Sequence, residues 1–229
     1  MPVDRPLVTI GIPVFNGERF IHETLDNLLA QTYDNIEFLI ADNASTDRTG
    51  EICQEYAAKD RRIKYYRNAK NIGLTRNYRR VLELATGEYF MWAAIDDLKP
   101  ANTVERCLAA LSRNPRAVMA HGIVLVRVPE ETDLHDVPNV VHATQKKAAE
   151  RIRVFTRNIE HNTMEYGLCR IEALRRTTLG IHSGQDYLIS LQMCLLGEIE
   201  YVDTPMIVFR QIHIARKSDP MYRDVPLTF

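Results

Sequence analysis

The sequence predicts an α/β fold built on a mostly parallel sheet. Two observations predict it. Apolar, β-branched runs such as "LVTIGIPVF" and "IEFLIAD" read as strands buried on both faces. Between successive runs lie segments of helix length, and strands separated in this way imply βαβ units.

The elements follow in order. "GERFIHETLDNLLAQ" places Ile21, Leu25, Leu28 and Leu29 on one face at helical spacing. After the strand "IEFLIAD" comes the helix "STDRTGEICQEYAAKD", with Ser45 or Thr46 as its N-cap. "RIKYYRN" is a third strand, and "GLTRNYRRVLELATG" a helix that Gly87 ends. "EYFMWAAID" is a fourth strand, "ANTVERCLAALSRNP" a helix and "AVMAHGIVLV" a fifth strand. Further on, "SGQDYLISLQMCLLG" is a helix preceded by Asp186, with Leu188, Leu191 and Leu195 pointing inward.

Composition narrows the function classes. At 229 residues, with 45% hydrophobic and 26% charged, the chain suits one large α/β domain or two small ones. A formal net charge of -1 supplies no general attraction to nucleic acid or to an anionic membrane. No apolar run is long enough to cross a bilayer, and the start lacks a secretion signal, so a cytoplasmic location is expected. Cys53, Cys107, Cys169 and Cys194 form no paired motif and read as reduced thiols.

In parallel sheets, ligands bind beyond the carboxyl ends of the strands. Strand ends here read "PVFNG", "ADNASTD" and "AAIDD", and the third strand leads into "NAKNIG". Asn16, Asp42, Asn43, Asn71, Asp96 and Asp97 are therefore expected along one edge. Taken singly, each also fits a solvated turn. Asp96 and Asp97 pose the sharper question. Adjacent carboxylates after an apolar run fit a site for a cation, or an acidic cap for the helix that follows.

The order of motifs resembles family 2 of the nucleotide-sugar glycosyltransferases. The matching pieces are "VTIGIPVFNGERFIHETLDNLLAQTYDNIEFLIADNASTDRT", "NIGLTRNY", "ATGEYFMWAAIDDLKP" and "SGQDYLISLQMCLLG", from about residue 7 to 197, with a weaker echo at "FRQIH". The resemblance implies a GT-A fold, a Rossmann-like three-layer αβα sandwich, as a single domain over 1–229. Residues 7–121 would form the nucleotide-sugar half and 122–229 the acceptor half.

The same resemblance implies roles. Asp97 would hold Mn²⁺ or Mg²⁺, with Asp96 on the ribose or behind the metal and His213 reaching the phosphates or the metal. Pro13 and Asn16 would set the turn that stacks Phe15 on the nucleobase, although Phe15 also suits the core. Asp42 would accept from the base N–H, with Asn43 completing the doublet. Asn71, Gly73, Arg76 and Asn77 would face the base or phosphates, with solvent exposure the alternative for Arg76. Asp47 divides between capping and function. Asp186 would be the general base, or else a helix cap. The family usually has Glu-Asp there, whereas this chain has Gln185-Asp186. Glu165 and Tyr166 would lie near the acceptor.

The implied activity is inverting transfer of one sugar from a UDP- or dTDP-sugar to a hydroxyl of a glycan or lipid-linked acceptor. A bacterial cell-surface polysaccharide is the implied product, with peripheral membrane contact and no nucleic-acid partner. Two other readings stand beside it: a catalytically silent sugar-nucleotide binder, and a phospho-acceptor signalling domain built on aspartates and Mg²⁺.

Overall fold

The computed structural model describes residues 5–127, 134–137, 140–159, 162, 164–178 and 185–210. The first half alternates strand and helix: β1 (Val8–Val14), α1 (Ile21–Leu29), β2 (Ile36–Asp42), α2 (Thr49–Lys59), β3 (Ile63–Arg67), α3 (Leu74–Leu84) and β4 (Tyr89–Trp92). A two-residue strand β5 (Asp97–Leu98) precedes α4 (Thr103–Arg113) and the long β6 (Ala117–Arg127). Then come β7 (Leu134–Val137), α5 (Ala148–Asn158), a 3₁₀ turn at Met164–Tyr166, β8 (Leu168–Arg170), α6 (Ile171–Leu174), α7 (Gln185–Leu196) and β9 (Glu198–Arg210).

These strands form one sheet in the order β3-β2-β1-β4-β8-β6-β9-β5, with β7 beside β6. The β3-β2-β1-β4 block is parallel, as is the β6–β9 pair. The β8 and β5 strands join antiparallel to their neighbours. Strand alternation sorts the core into two layers. On β2, Phe38 and Ile40 pack with α1, α2 and α4, while Leu39 and Ala41 pack with α3, α5, α6 and α7. This is the three-layer αβα sandwich of the GT-A fold. Helix α3 lies close on β1 because Gly11 has no side chain; a Cβ there would run into Val81 and Phe90.

Several sequence expectations change. Helix α3 stops at Leu84, before Gly87, whose bare Cα instead admits the Leu7 carbonyl and Thr9. Neither Ser45 nor Thr46 caps α2; Arg48 occupies the cap position, and the Asp47 carboxylate accepts from the Thr49 N–H at 3.0 Å. On α7 the inward face is Ile189, Ser190, Met193 and Cys194, whereas Leu188 and Leu195 are 42% and 51% exposed and Leu191 half-buried. That helix is apolar nearly all round, so leucine spacing alone does not define its inner face. All four cysteines are free and buried.

Candidate active site

Register builds the site. Val14, Asp42 and Arg67 stand side by side at the carboxyl ends of β1, β2 and β3. Strand β4 ends at Trp92 opposite Gly11, and the Ala93 N–H continues to the Gly11 carbonyl at 2.9 Å, carrying the chain on toward Asp96 and Asp97 at the same edge.

The first two loops are laced together. Asn16 donates its N–H to Ser45 Oγ at 2.9 Å and accepts the Thr46 N–H at 2.8 Å. Gly17 N–H donates to Thr49 Oγ1 and Glu18 N–H to Asp47. Burial alone would raise the Asp47 pKa, but the hydrogen bonds from Thr49 and Glu18 outweigh it and hold the carboxyl below its ordinary range. Asp47 is therefore an anchor between loops. Asn16 and Ala44 both have positive φ, 49° and 62°. For Ala44 that conformation costs about 1–2 kcal/mol, and the bonds around it hold it in place.

Asp42 is fully enclosed. One carboxylate oxygen accepts the Ser45 N–H at 2.8 Å; the other takes Tyr65 Oη at 2.7 Å and the Arg67 guanidinium at 2.5 Å. Of roughly four acceptor positions on a carboxylate, one is left. Beside it an asparagine network organises the 68–73 loop. Asn43 donates to Asn71 Oδ1 and accepts from Asn68 and the Ile72 N–H. Asn77, buried on α3, donates to the Ala41 carbonyl and accepts from Asn68. Gly73, at φ 87°, opens α3, a conformation glycine adopts freely. Arg76 is exposed one turn into that helix, Phe15 is half-buried, and Pro13 lies buried in β1.

Asp96 and Asp97 occupy a turn, both half-buried. They are not an acidic cap of α4, whose cap residue is Asn102. Instead α1 and the residues just after it hold the segment in place. Thr24 Oγ1 donates to the Ile95 carbonyl, Asn27 exchanges two hydrogen bonds with the Lys99 main chain (3.0 and 2.7 Å), and Gln31 Nε2 donates to the Pro100 carbonyl at 2.8 Å. On the far side β5 pairs Asp97 with Phe209 of β9. Two adjacent carboxylates are the hard oxygen donors that Mg²⁺ or Mn²⁺ prefers, and such ions take few protein ligands when substrate phosphates supply the rest. The donor set fits. Among the described residues no group of three His, Cys, Asp or Glu side chains gathers as a metal site. His213 lies outside the described residues.

Sequence reasoning missed this clamp, which Thr24 and Asn27 on α1 share with Gln31, two residues past the end of the helix. It also missed Lys99, whose residue is only 2% exposed. Burial lowers the Lys99 pKa to about 8 against the opposing pull of Cys107 and Asp97. Its Nζ donates to the Tyr166 carbonyl at 3.1 Å.

Tyr166 and Glu165 lie on the turn that Lys99 reaches. Tyr166 feels the charges of Glu165 and Asp97, and Glu165 feels that of Asp186. Asp186 sits half-buried in the first turn of α7, inside the helix and not ahead of it. Burial, then the nearby Asp186 charge, pushes the Glu165 carboxyl up to about 8.

Fold and site together define an α/β protein of the GT-A class, with two adjacent carboxylates at a strand-end turn. The chain belongs to glycosyl transferase family 2, whose profile it matches over residues 9–177. It is 37% identical over 108 residues to an uncharacterized glycosyltransferase of Rickettsia typhi, covering 47% of this chain and 33% of that one. To the glycosyltransferase GlyG of Streptococcus pneumoniae it is 30% identical over 99 residues, 43% of this chain and 33% of the relative. The chain thus spans about a third of the length of these relatives. Among solved structures it is similar to S. aureus TarS 1-349 in complex with UDP-GlcNAc (TM-score 0.71, 18% identity, 90% of this chain and 58% of that one). It is also similar to the mannosyltransferase PcManGT from Pyrobaculum calidifontis in complex with GDP-Man and Mn²⁺ (TM-score 0.63, 20% identity, 92% and 58%). At these identities the likeness speaks for the fold.

Proposed function

We propose that the protein transfers one sugar from a nucleoside-diphosphate sugar to a hydroxyl of a glycan or lipid-linked acceptor, with inversion, in bacterial cell-surface polysaccharide synthesis. One observation carries the reading: the Lys99 ammonium, two residues past Asp97, donates to the Tyr166 carbonyl at 3.1 Å, which places the Asp96–Asp97 segment beside the Met164–Tyr166 turn that packs on α7, the helix of Asp186. Family membership supports the same reaction class.

Residues 7–121 form the donor half in this reading. Phe15 stacks on the base of a uridine or thymidine diphosphate, beside the loop that Asp42, itself without exposed surface, braces through Ser45, Tyr65 and Arg67. Asn16, Asn43, Asn71, Gly73 and Asn77 shape the walls, with Arg76 beside the phosphates. Asp97 and Asp96 hold Mn²⁺ or Mg²⁺, which when bound offsets charge on the departing diphosphate. Residues 122–229 form the acceptor half. There Asp186 takes the proton from the acceptor hydroxyl. The oxygen attacks the anomeric carbon from the face opposite the diphosphate, and the bond to the diphosphate breaks. Among the described residues no helix is long and apolar enough to cross a membrane. We place the reaction in the cytoplasm, with peripheral membrane contact where the acceptor is lipid-linked.

Calorimetry with UDP and dTDP, in Mn²⁺ and in chelator, tests the donor half. Affinity should depend on Mn²⁺ in the unmodified chain and lose that dependence in Asp97→Ala. Equal affinity with and without metal refutes the assignment of the turn. Asp186→Asn tests the acceptor half: donor binding should persist while turnover falls ~10²–10⁴-fold. Binding without turnover in the unmodified chain would identify a silent binder.

A further inference from the structure

Helix α7 is apolar on the side turned away from the core. At about 3.6 residues per turn, Tyr187, Leu188, Leu191 and Leu195 share one arc of it. Tyr187, Leu188 and Leu195 are exposed and Leu191 is half-buried, while the opposite arc is buried. A single exposed leucine is ordinary, but a row of them along one helix marks a surface that meets something apolar. The neighbours of this row are basic. Gln192 of α7 exchanges two hydrogen bonds with Thr178, both 2.6 Å, which fixes the 175–178 segment against the helix. Arg175 in turn donates to the Ala85 carbonyl at 2.8 Å, at the end of α3. Arg79, Arg175 and Thr178 line an open groove of about 540 Å³ there, with Glu83 bound to Arg79 at 2.9 Å. At the other end of α7, Arg151 donates to the Cys194 and Leu195 carbonyls at 2.8 and 3.2 Å and joins α5 to it.

We propose that this outer face, the leucine row of α7 with the arginines around it, docks on an anionic phospholipid bilayer. The charge of the chain is sorted by layer. Helix α3 exposes Arg76, Arg79 and Arg80 against Glu83. In the same layer α5 exposes Arg153 and Arg157, and Arg175 and Arg176 follow α6, where Glu172 is the exposed acid. On the other side of the sheet the balance reverses: Glu23, Asp26, Glu51 and Glu55 outnumber Lys59 on α1 and α2. A formal charge of -1 for the whole chain therefore hides one basic side. Leucines enter the headgroup region while guanidinium groups meet lipid phosphates, each arginine adding roughly 5-fold to the partition. A second copy of the chain would cover the leucines too, but it would bring like charge against these arginines. The face also begins beside the candidate base, since Asp186, Tyr187 and Leu188 are consecutive in the first turn of α7. Docking brings the head of α7 to the headgroup plane, where a lipid-linked acceptor presents its hydroxyl. That choice of acceptor rests on the reading of Asp186 as the base; the docking itself does not.

The test is sedimentation of the full chain with vesicles, without donor or acceptor, beside analytical ultracentrifugation of the chain alone. The chain should bind vesicles of phosphatidylcholine and phosphatidylglycerol in equal parts, and release from them at high salt. Phosphatidylcholine alone should not retain it. Leu188→Gln with Leu195→Gln should lower the partition coefficient ~10-fold and leave Tm unchanged, because both side chains are exposed. Arg157→Gln with Arg176→Gln should lower it by ~10-fold or more. Arg106→Gln with Arg113→Gln, exposed on α4 across the sheet, should leave it as it was. No binding to the mixed vesicles, or an equal loss in the α4 variant, refutes the docking face. A chain that is dimeric alone and monomeric as the double leucine variant assigns the row to a second copy and refutes it as well. So does a double leucine variant with a much lower Tm, which would place the row inside the fold. Failure of vesicle binding leaves donor binding and turnover untouched, and normal turnover by Asp186→Asn removes the base assignment while vesicle binding stands.

Discussion

Lys99 and Tyr166, 67 positions apart, are joined by one hydrogen bond from the ammonium to the main-chain oxygen. It ties the Asp96–Asp97 turn to the Met164–Tyr166 turn. A buried ammonium carries a desolvation cost that one carbonyl repays only in part.

Lys99→Met should separate these two effects. Methionine fills similar space without charge. Thermal unfolding should therefore stay level or move upward, while donor turnover falls because the 164–166 turn loses its anchor. A large drop in Tm would mean that the ammonium stabilises the fold more than its burial costs.

Glu165 gives stability a pH slope of its own. Its carboxyl titrates near 8 when folded and near the ordinary 4.5 when unfolded. Between these values the folded chain binds the extra proton, so the contribution is complete below 4.5 and is lost as pH rises to 8. From pH 6.5 to 8 the loss should reach about 2 kcal/mol. Denaturant unfolding across that range should show the decline in the unmodified chain and a flatter line in Glu165→Gln.

His121 slopes the other way. Burial lowers its pKa to about 4 from the ordinary 6.5, and its Nε2 pairs with the Val141 carbonyl at 2.8 Å. The unfolded chain binds the proton first, so stability is complete above 6.5 and is lost as pH falls toward 4. The loss should be of order 3 kcal/mol. The Glu165 slope opposes it from 4.5 to 6.5, so the readout is the difference between the unmodified chain and His121→Gln. Parallel curves would rule out a neutral buried histidine.

Asp42→Ala should destabilise as well as weaken base recognition. The change leaves Tyr65, Arg67 and the Ser45 N–H without their shared acceptor. Arg67 itself is 45% exposed, so about 1–3 kcal/mol is expected, the cost of unmade hydrogen bonds, rather than the larger figure for a stranded buried charge. Asp42→Asn keeps the shape and is the cleaner probe of uridine binding by calorimetry. Equal unfolding midpoints for Asp42→Ala and the unmodified chain would contradict the closed network.

Much of the first half of the chain was legible in the sequence. Its strands are continuous apolar runs and their ends are polar, so register alone gathers Asn16, Asp42, Asn43 and Asp96 to one edge. Burial was harder to read. Asp42 and Asn77 look like cleft residues by position, yet their side chains are engaged inside the protein. The second half was less legible because its order comes from long-range pairing. Strand β5 is two residues long and exists through β9. The inner face of α7 is set by α5 and β9 rather than by leucine spacing.

The pairing of Asp97 with Phe209 also places a clock on the site. Ribosomes add about 5–20 residues per second, and roughly a hundred residues separate the two partners. For about 5–20 seconds a growing chain has its first strand-end loops but no β9 to latch the acidic turn. The acidic turn is therefore completed late, once synthesis has passed β9, well after the loops at the ends of β1, β2 and β3 have been made.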